Sequence, residues 1–186
     1  MEQRSEGQTN LNSYSQLFRN YLLLIVVAGA IIVLDQWTKG LVRANLSSGE
    51  TWMPWTRLAP YARIVNWHNT GSALGLFQEY GGIFAILAIL VSALIIYYFP
   101  RIDSDDWPLR LAMSLQLGGA IGNLIDRLNF GYVTDYVSIG TFPVFNVADA
   151  SITGGVLVLL FYTWRGERQA HRETAAYEEE HASGSS

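Results

Sequence analysis

Gly81–Phe99 reads GGIFAILAILVSALIIYYF, nineteen residues without a charge, closed by Pro100 and Arg101. A helix rises 1.5 Å per residue, so about 20 apolar residues cross the hydrocarbon of a bilayer. A helix in a soluble bundle keeps a polar stripe for solvent, and this segment has none. Three further segments share its character. Tyr21–Leu34 (YLLLIVVAGAIIVL) is uncharged and fades near Val42, after Asp35 and Lys39. Leu111–Ile125 is largely apolar, contains Gln116, and stops at Asp126 and Arg127; Val147–Trp164 is apolar apart from Asp149. The expected fold is an all-α integral membrane protein with four transmembrane helices. Residues 1–18 form a loose polar tail, 19–164 the membrane domain and 165–186 a second tail. The long connection Ala44–Tyr80 holds Trp52, Trp55, Tyr61, Trp67 and Phe77, and its stretch Ala62–Trp67 (ARIVNW) suits a strand. That gives the connection a partly β-like loop cradle.

Composition agrees. The 186 residues are 50% hydrophobic and 15% charged, against about 25% charged in a soluble domain. The net charge of −4 argues against a nucleic-acid partner. Without cysteine there is no thiolate chemistry and no disulfide. His68, His171 and His181 form no His-Glu-x-x-His pair, and no metal or cofactor is expected.

Basic residues orient a membrane protein. Arg4, Arg19, Arg101, Arg110, Arg165, Arg168 and Arg172 lie on the side of the termini. Lys39, Arg43, Arg57, Arg63 and Arg127 lie opposite. The bias puts both termini in the cytoplasm. It leaves the end of the first helix, the long loop, the end of the third helix and the start of the fourth on the outer face.

That face collects the polar residues. Asp35 and Lys39 sit four apart on one helix side and suit an ion pair. Asn69 lies in the loop, Asn123, Asp126 and Arg127 end the third helix, and Asn146 and Asp149 open the fourth. Charges at membrane depth cost roughly 2.5–3.5 kcal/mol each on insertion scales, so they need a partner or a task. Asp126–Arg127 can orient the third helix, and Asn123 and Asn146 can bridge or cap helices. Gly118 and Gly122 suit close helix packing. Asp135 and Asp149 have no cation adjacent in sequence. In one pocket they would hardly both ionise. Two carboxylates sharing a proton can activate water on a peptide bond. Membrane carboxylates can also relay protons in a non-enzymatic proton or ion conduit. Lys39, the only lysine, with Ser72, Ser138 or Ser151 would make a serine–lysine peptidase. A non-catalytic binding scaffold is the remaining alternative.

Five ordered blocks narrow these readings: Asp35-Gln36-Trp37-Thr38-Lys39, Asn69-Thr70-Gly71-Ser72-Ala73-Leu74-Gly75, the segment GGAIGNLIDR from Gly118 to Arg127, Gly131-Tyr132-Val133-Thr134-Asp135-Tyr136, and Phe142-Pro143-Val144-Phe145-Asn146-Val147-Ala148-Asp149. Together they resemble the lipoprotein signal peptidases, or signal peptidase II, of bacteria. The resemblance implies an aspartic endopeptidase of the bacterial inner membrane, expected here as a monomer. Its substrate would be a prolipoprotein carrying a diacylglyceryl group, cut before the lipidated cysteine in contact with membrane lipid. The catalytic aspartates carry over to Asp135 and Asp149. Asn123, Arg127 and Asn146 match positions lining the family's site. Asp35, Lys39, Asn69 and Gly71 match positions tied to its activity or integrity, and Asp126 adjoins Arg127. Leu74 and Tyr136 stand where phenylalanine is common.

Overall fold

In the computed structural model, residues 2–53, 61–71 and 81–183 are described. The chain runs through α1 (Glu2–Asn45), β1 (Thr51–Trp52), β2 (Ala62–Asn69), α2 (Gly81–Tyr98), α3 (Trp107–Phe130), β3 (Val133–Ile139) and α4 (Val147–Ser183). Each apolar run identified in the sequence lies within one helix, save that Phe99 falls just past α2. Pro100 turns the end of α2 into a short 3-10 segment, Phe99–Arg101. Gly131 ends α3 at a φ of 78°, a left-handed conformation that glycine adopts without strain. The chain can therefore turn directly into β3.

Among the described residues, three helices are long and apolar enough to cross a membrane: α1 from Tyr21, α2 with its 3-10 extension, and α4 as far as Arg168. α3 has 24 residues, ample length, but its polar residues keep it out of that set. They point inward, since Arg110, Ser114, Asn123 and Asp126 are buried and α3 packs against α1, α2 and α4. Arg110 is buried. Its guanidinium donates to the Ile102 carbonyl at 3.1 Å and lies 4.6 Å from the centre of the Phe99 ring.

Glycines allow the close packing. A Cβ on Gly118 would lie 2.8 Å from Ile31 Cβ of α1, and one on Gly119 would lie 2.4 Å from the Ala148 carbonyl of α4. Leu24, Ala28, Ile95, Phe99 and Leu117 form the apolar core. The outer surface is inverted relative to a soluble protein: Ile83, Ile86, Leu90 and Leu94 of α2 are exposed.

The sheet has the order β1-β2-β3 and is antiparallel. Ala62 pairs with Ile139 and Trp67 with Asp135, with an irregularity between Ile64 and Trp67. β3 was not expected from the sequence. The helices also extend beyond the apolar runs, into residues 2–18 and 165–183, where the composition suggests tails. The first stretch contains no proline, and the second is rich in alanine, glutamate and arginine, all good helix formers.

Candidate active site

The site begins with a helix cap. Asn146 precedes α4, and its Oδ1 accepts the Asp149 N–H at 2.8 Å. In return Asp149 Oδ2 accepts the Asn146 N–H at 3.3 Å. This reciprocal arrangement is a capping box, which satisfies two otherwise orphaned amides at a helix start. It also fixes Asp149 at the first turn of α4.

Asp135 arrives from β3. Its side chain is 1% exposed. Oδ1 accepts Asn146 Nδ2 at 2.7 Å, and Oδ2 accepts Asn69 Nδ2 at 2.8 Å. Asn69 ends β2, two residues past the partner of Asp135, so both lie on one face of the sheet. The Asn69 amide is itself held, because its Oδ1 accepts the Gly71 N–H at 3.0 Å.

Two amides join the carboxylates. Asn146 Nδ2, already on Asp135, also reaches Asn123 Oδ1 at 3.1 Å. Asn123 Nδ2 donates to Asp149 Oδ1 at 2.7 Å. Burial, and after it the charge of Asp149, push the Asp135 pKa from 3.8 up to about 7. The hydrogen bond from Asn69, the charge of Lys39 and the bond from Asn146 oppose that shift.

A second polar layer lies beneath. Lys39 Nζ is 2.8 Å from Asp35 Oδ2 and 3.3 Å from Asp126 Oδ2, and it donates to Asn123 Oδ1 at 2.9 Å. All three charged groups are completely buried. Asp35 Oδ1 accepts the Ala148 N–H, binding α1 to the start of α4. Asp126 Oδ2 accepts the Thr134 N–H at 2.9 Å, binding α3 to the residue before Asp135. Gly122 leaves room for this layer: a Cβ there would stand 2.7 Å from Asp35 Oδ2.

Arg127 stands at the other side, its Nη2 donating to the Gly71 carbonyl at 3.4 Å. Its guanidinium faces the Phe84 ring at 5.6 Å. Arg127, Asn123, Asn69 and Asp149 line a groove of about 340 Å³ whose opposite wall is apolar, from Leu87 and Val91 of α2 and Ile152 of α4. The groove therefore runs a polar edge along an apolar trough.

All ten residues singled out in the sequence converge here. Three partners were missed. Gln36 Nε2 reaches Asp35, Asp126 and the Gly122 carbonyl. Arg43 Nη1 reaches Asp126 Oδ1 at 3.3 Å and Thr134 Oγ1 at 2.9 Å. Tyr136 donates to Thr38 Oγ1 at 2.7 Å, tying β3 to α1. The signal for Arg43 was present, since Asp35, Lys39 and Arg43 recur every four residues and form one helical stripe.

Among the described residues, Ser138 and Ser151 find no lysine. Lys39 is engaged by Asp35, Asp126 and Asn123. Ser138 accepts from Arg63, and Ser151 donates to the Leu115 carbonyl. Ser72, with the rest of the stretch to Gly75, lies outside the described residues.

Comparison with known proteins is consistent across sequence and structure. A family model for signal peptidase II matches residues 27–165. The lipoprotein signal peptidase of Anoxybacillus flavithermus is 36% identical over 82% of this chain and 92% of its own. That of Acinetobacter baumannii is 35% identical over 87% and 94%, and that of Halalkalibacterium halodurans 37% identical over 83% and 100%. A solved bacterial membrane enzyme superposes with a TM-score of 0.71 at 27% identity, covering 76% of this chain and 87% of that one.

Proposed function

The chain belongs to the lipoprotein signal peptidase (signal peptidase II) family, and on that premise we propose that Asp135 and Asp149 are a catalytic pair that activates one water. The reaction is hydrolysis of the peptide bond just before a diacylglyceryl-modified cysteine, releasing the signal peptide from a prolipoprotein. The observation that carries this reading is the amide chain Asp135–Asn146–Asn123–Asp149, which links two acids from separate elements beside the groove that Asp149 lines.

At neutral pH Asp135, with its pKa near 7, holds the shared proton. Asp149 lines the groove and takes a proton from the water as it attacks the carbonyl. Asp135 donates a hydrogen bond to the carbonyl oxygen, and the proton passes to the departing amine as the bond breaks. Asn69, Asn123 and Asn146 hold the acids in register. Arg127 and Gly71 brace the groove where the substrate backbone lies. Asp35, Lys39 and Asp126 form the rigid base beneath.

The family and the three apolar helices make this a multi-pass bacterial membrane protein. We assign the fourth crossing to α3, whose polar side chains are covered by its neighbours. The bias of basic residues flanking the helices supports an orientation with both termini in the cytoplasm and the acids at the outer face of the inner membrane. There a lipidated cysteine has its acyl chains in hydrocarbon and its peptide bond at headgroup level. A monomer holds all of these residues.

A gel-shift cleavage assay in detergent tests the proposal. Wild type cuts the diacylated precursor and leaves the non-acylated one intact. Asp135→Asn and Asp149→Asn each stay folded and lose cleavage. Wild-type-like cleavage by either variant refutes the pair.

A further inference from the structure

We infer that the middle of α4, from Leu157 to Arg172 and remote from the acids, carries a binding site for an anionic phospholipid. Two hollows meet there. One, of about 690 Å³, lies between the start of α3 and α4 and is walled by Trp107, Leu111, Leu157 and Phe161. The other, of about 380 Å³, is lined by Phe161, Trp164, Arg165, Arg168 and Arg172. Phe161 and Arg165 belong to both, so an apolar cleft opens onto a cationic surface. Each volume falls within the range of small-molecule sites, about 300–1,000 Å³.

The cationic part is organised. Arg165, Arg168 and Arg172 recur at helical spacing, share one stripe and are exposed. The Arg168 guanidinium lies 4.1 Å from the centre of the Trp164 ring, and that of Arg165 lies 6.0 Å from Phe161. Among the described residues, no carboxylate lines either hollow. The nearby Asp106 is engaged by the Tyr162 hydroxyl, a bond that ties the loop before α3 to α4 and fixes the cleft. Trp107 and Trp164 are amphipathic rings of the kind that settle at headgroup level. From Asp149 to Arg165 the α4 axis advances about 24 Å, so this site is separate from the groove of the acids.

The chemistry selects the occupant. A phosphate ester within reach of three arginines gains charge-assisted hydrogen bonds. An acyl chain attached to it fills the cleft of Trp107, Leu111 and Leu157. A zwitterionic lipid adds its own cation to the arginine surface, and a free anion leaves the apolar cleft unused. The site is independent of the peptidase reading.

Native mass spectrometry of the full-length protein, released from micelles with phosphatidylglycerol and phosphatidylcholine of identical chains, tests it. Wild type is expected to retain phosphatidylglycerol about tenfold over phosphatidylcholine. Arg165→Gln, Arg168→Gln and Arg172→Gln each lose about twofold of that preference, and the triple variant loses all of it while still cutting precursor. Equal retention by wild type overturns the inference, and so does a preference that survives in the triple variant. Displacement of the lipid by millimolar inorganic phosphate would show an anion site without lipid recognition and would also overturn it. Should the triple variant fail to fold, the wild-type headgroup comparison and the single variants decide the question.

Discussion

Asp135→Asn is expected to abolish cleavage and to raise stability at alkaline pH. The native pKa of Asp135 is about 7, against 3.8 for an ordinary aspartate. Between about pH 4 and pH 7 the native state therefore binds more protons than the unfolded chain. The stabilisation linked to protonated Asp135 is fully present below about pH 4 and is lost as pH rises through 7. At ~1.4 kcal/mol per pH unit, the whole window amounts to ~4 kcal/mol as an upper bound. Asparagine has no such titration. Its NH2 would face one of the two donors that now serve Asp135, Asn69 Nδ2 or Asn146 Nδ2, a mismatch costing about 1–3 kcal/mol. The protonated acid presents an O–H to the same donors, so that penalty is common to both proteins. Near pH 4 the two should melt together. At pH 8 the variant should be more stable by about 2–4 kcal/mol, or on the order of 10 °C for a chain of this length. Thermal unfolding followed by tryptophan fluorescence in detergent, from pH 4 to 9, measures the gap. Asp149→Asn should flatten the wild-type slope, because it removes the second-largest cause of the shift. Parallel profiles for wild type and Asp135→Asn would refute the claim that burial and a neighbouring charge hold the proton on Asp135.

Lys39→Met should destabilise the protein by about 3–5 kcal/mol, since it leaves Asp35 buried without its cation and Asp126 with Arg43 alone; a chemical-denaturation midpoint equal to wild type would contradict the network. Asn146→Ala should cost about 1 kcal/mol through loss of the cap and lower kcat at least tenfold with little change in KM. Asn146→Ser should restore the cap and the stability without restoring kcat, because a serine hydroxyl cannot span to both Asp135 and Asn123.

The contrast between β2 and β3 explains what the sequence made legible. The helices were readable because an uncharged run long enough to cross a bilayer has few alternatives. Part of β2 was readable from ARIVNW. β3 was not, although Val133, Tyr136, Val137 and Ile139 are good strand residues. Its buried positions include Thr134, Asp135 and Ser138 beside Val133 and Tyr136, so polar and apolar residues are buried together and no alternation marks the strand. Buried polar groups dominate the whole end of the bundle that carries the acids. Among the largest fully buried side chains are Lys39, Asn146, Thr134, Asp35, Asp126 and Asp135, while leucines and isoleucines face outward. In lipid an apolar side chain gains little from the interior, and a charged one gains a great deal by finding its partner there. A charge interrupting an apolar run therefore marks the inward face, which is why residue type alone located Asp35, Lys39, Asn123 and Asp126. It could not separate roles, because in this protein the polar core and the candidate site are one connected network. Lys39 stabilises the fold, yet it also orients Asn123, which holds Asp149. Burial cannot distinguish a brace from a reactant in such a network. A variant that restores stability without restoring turnover can, and that is the distinction the Asn146→Ser comparison is built to make.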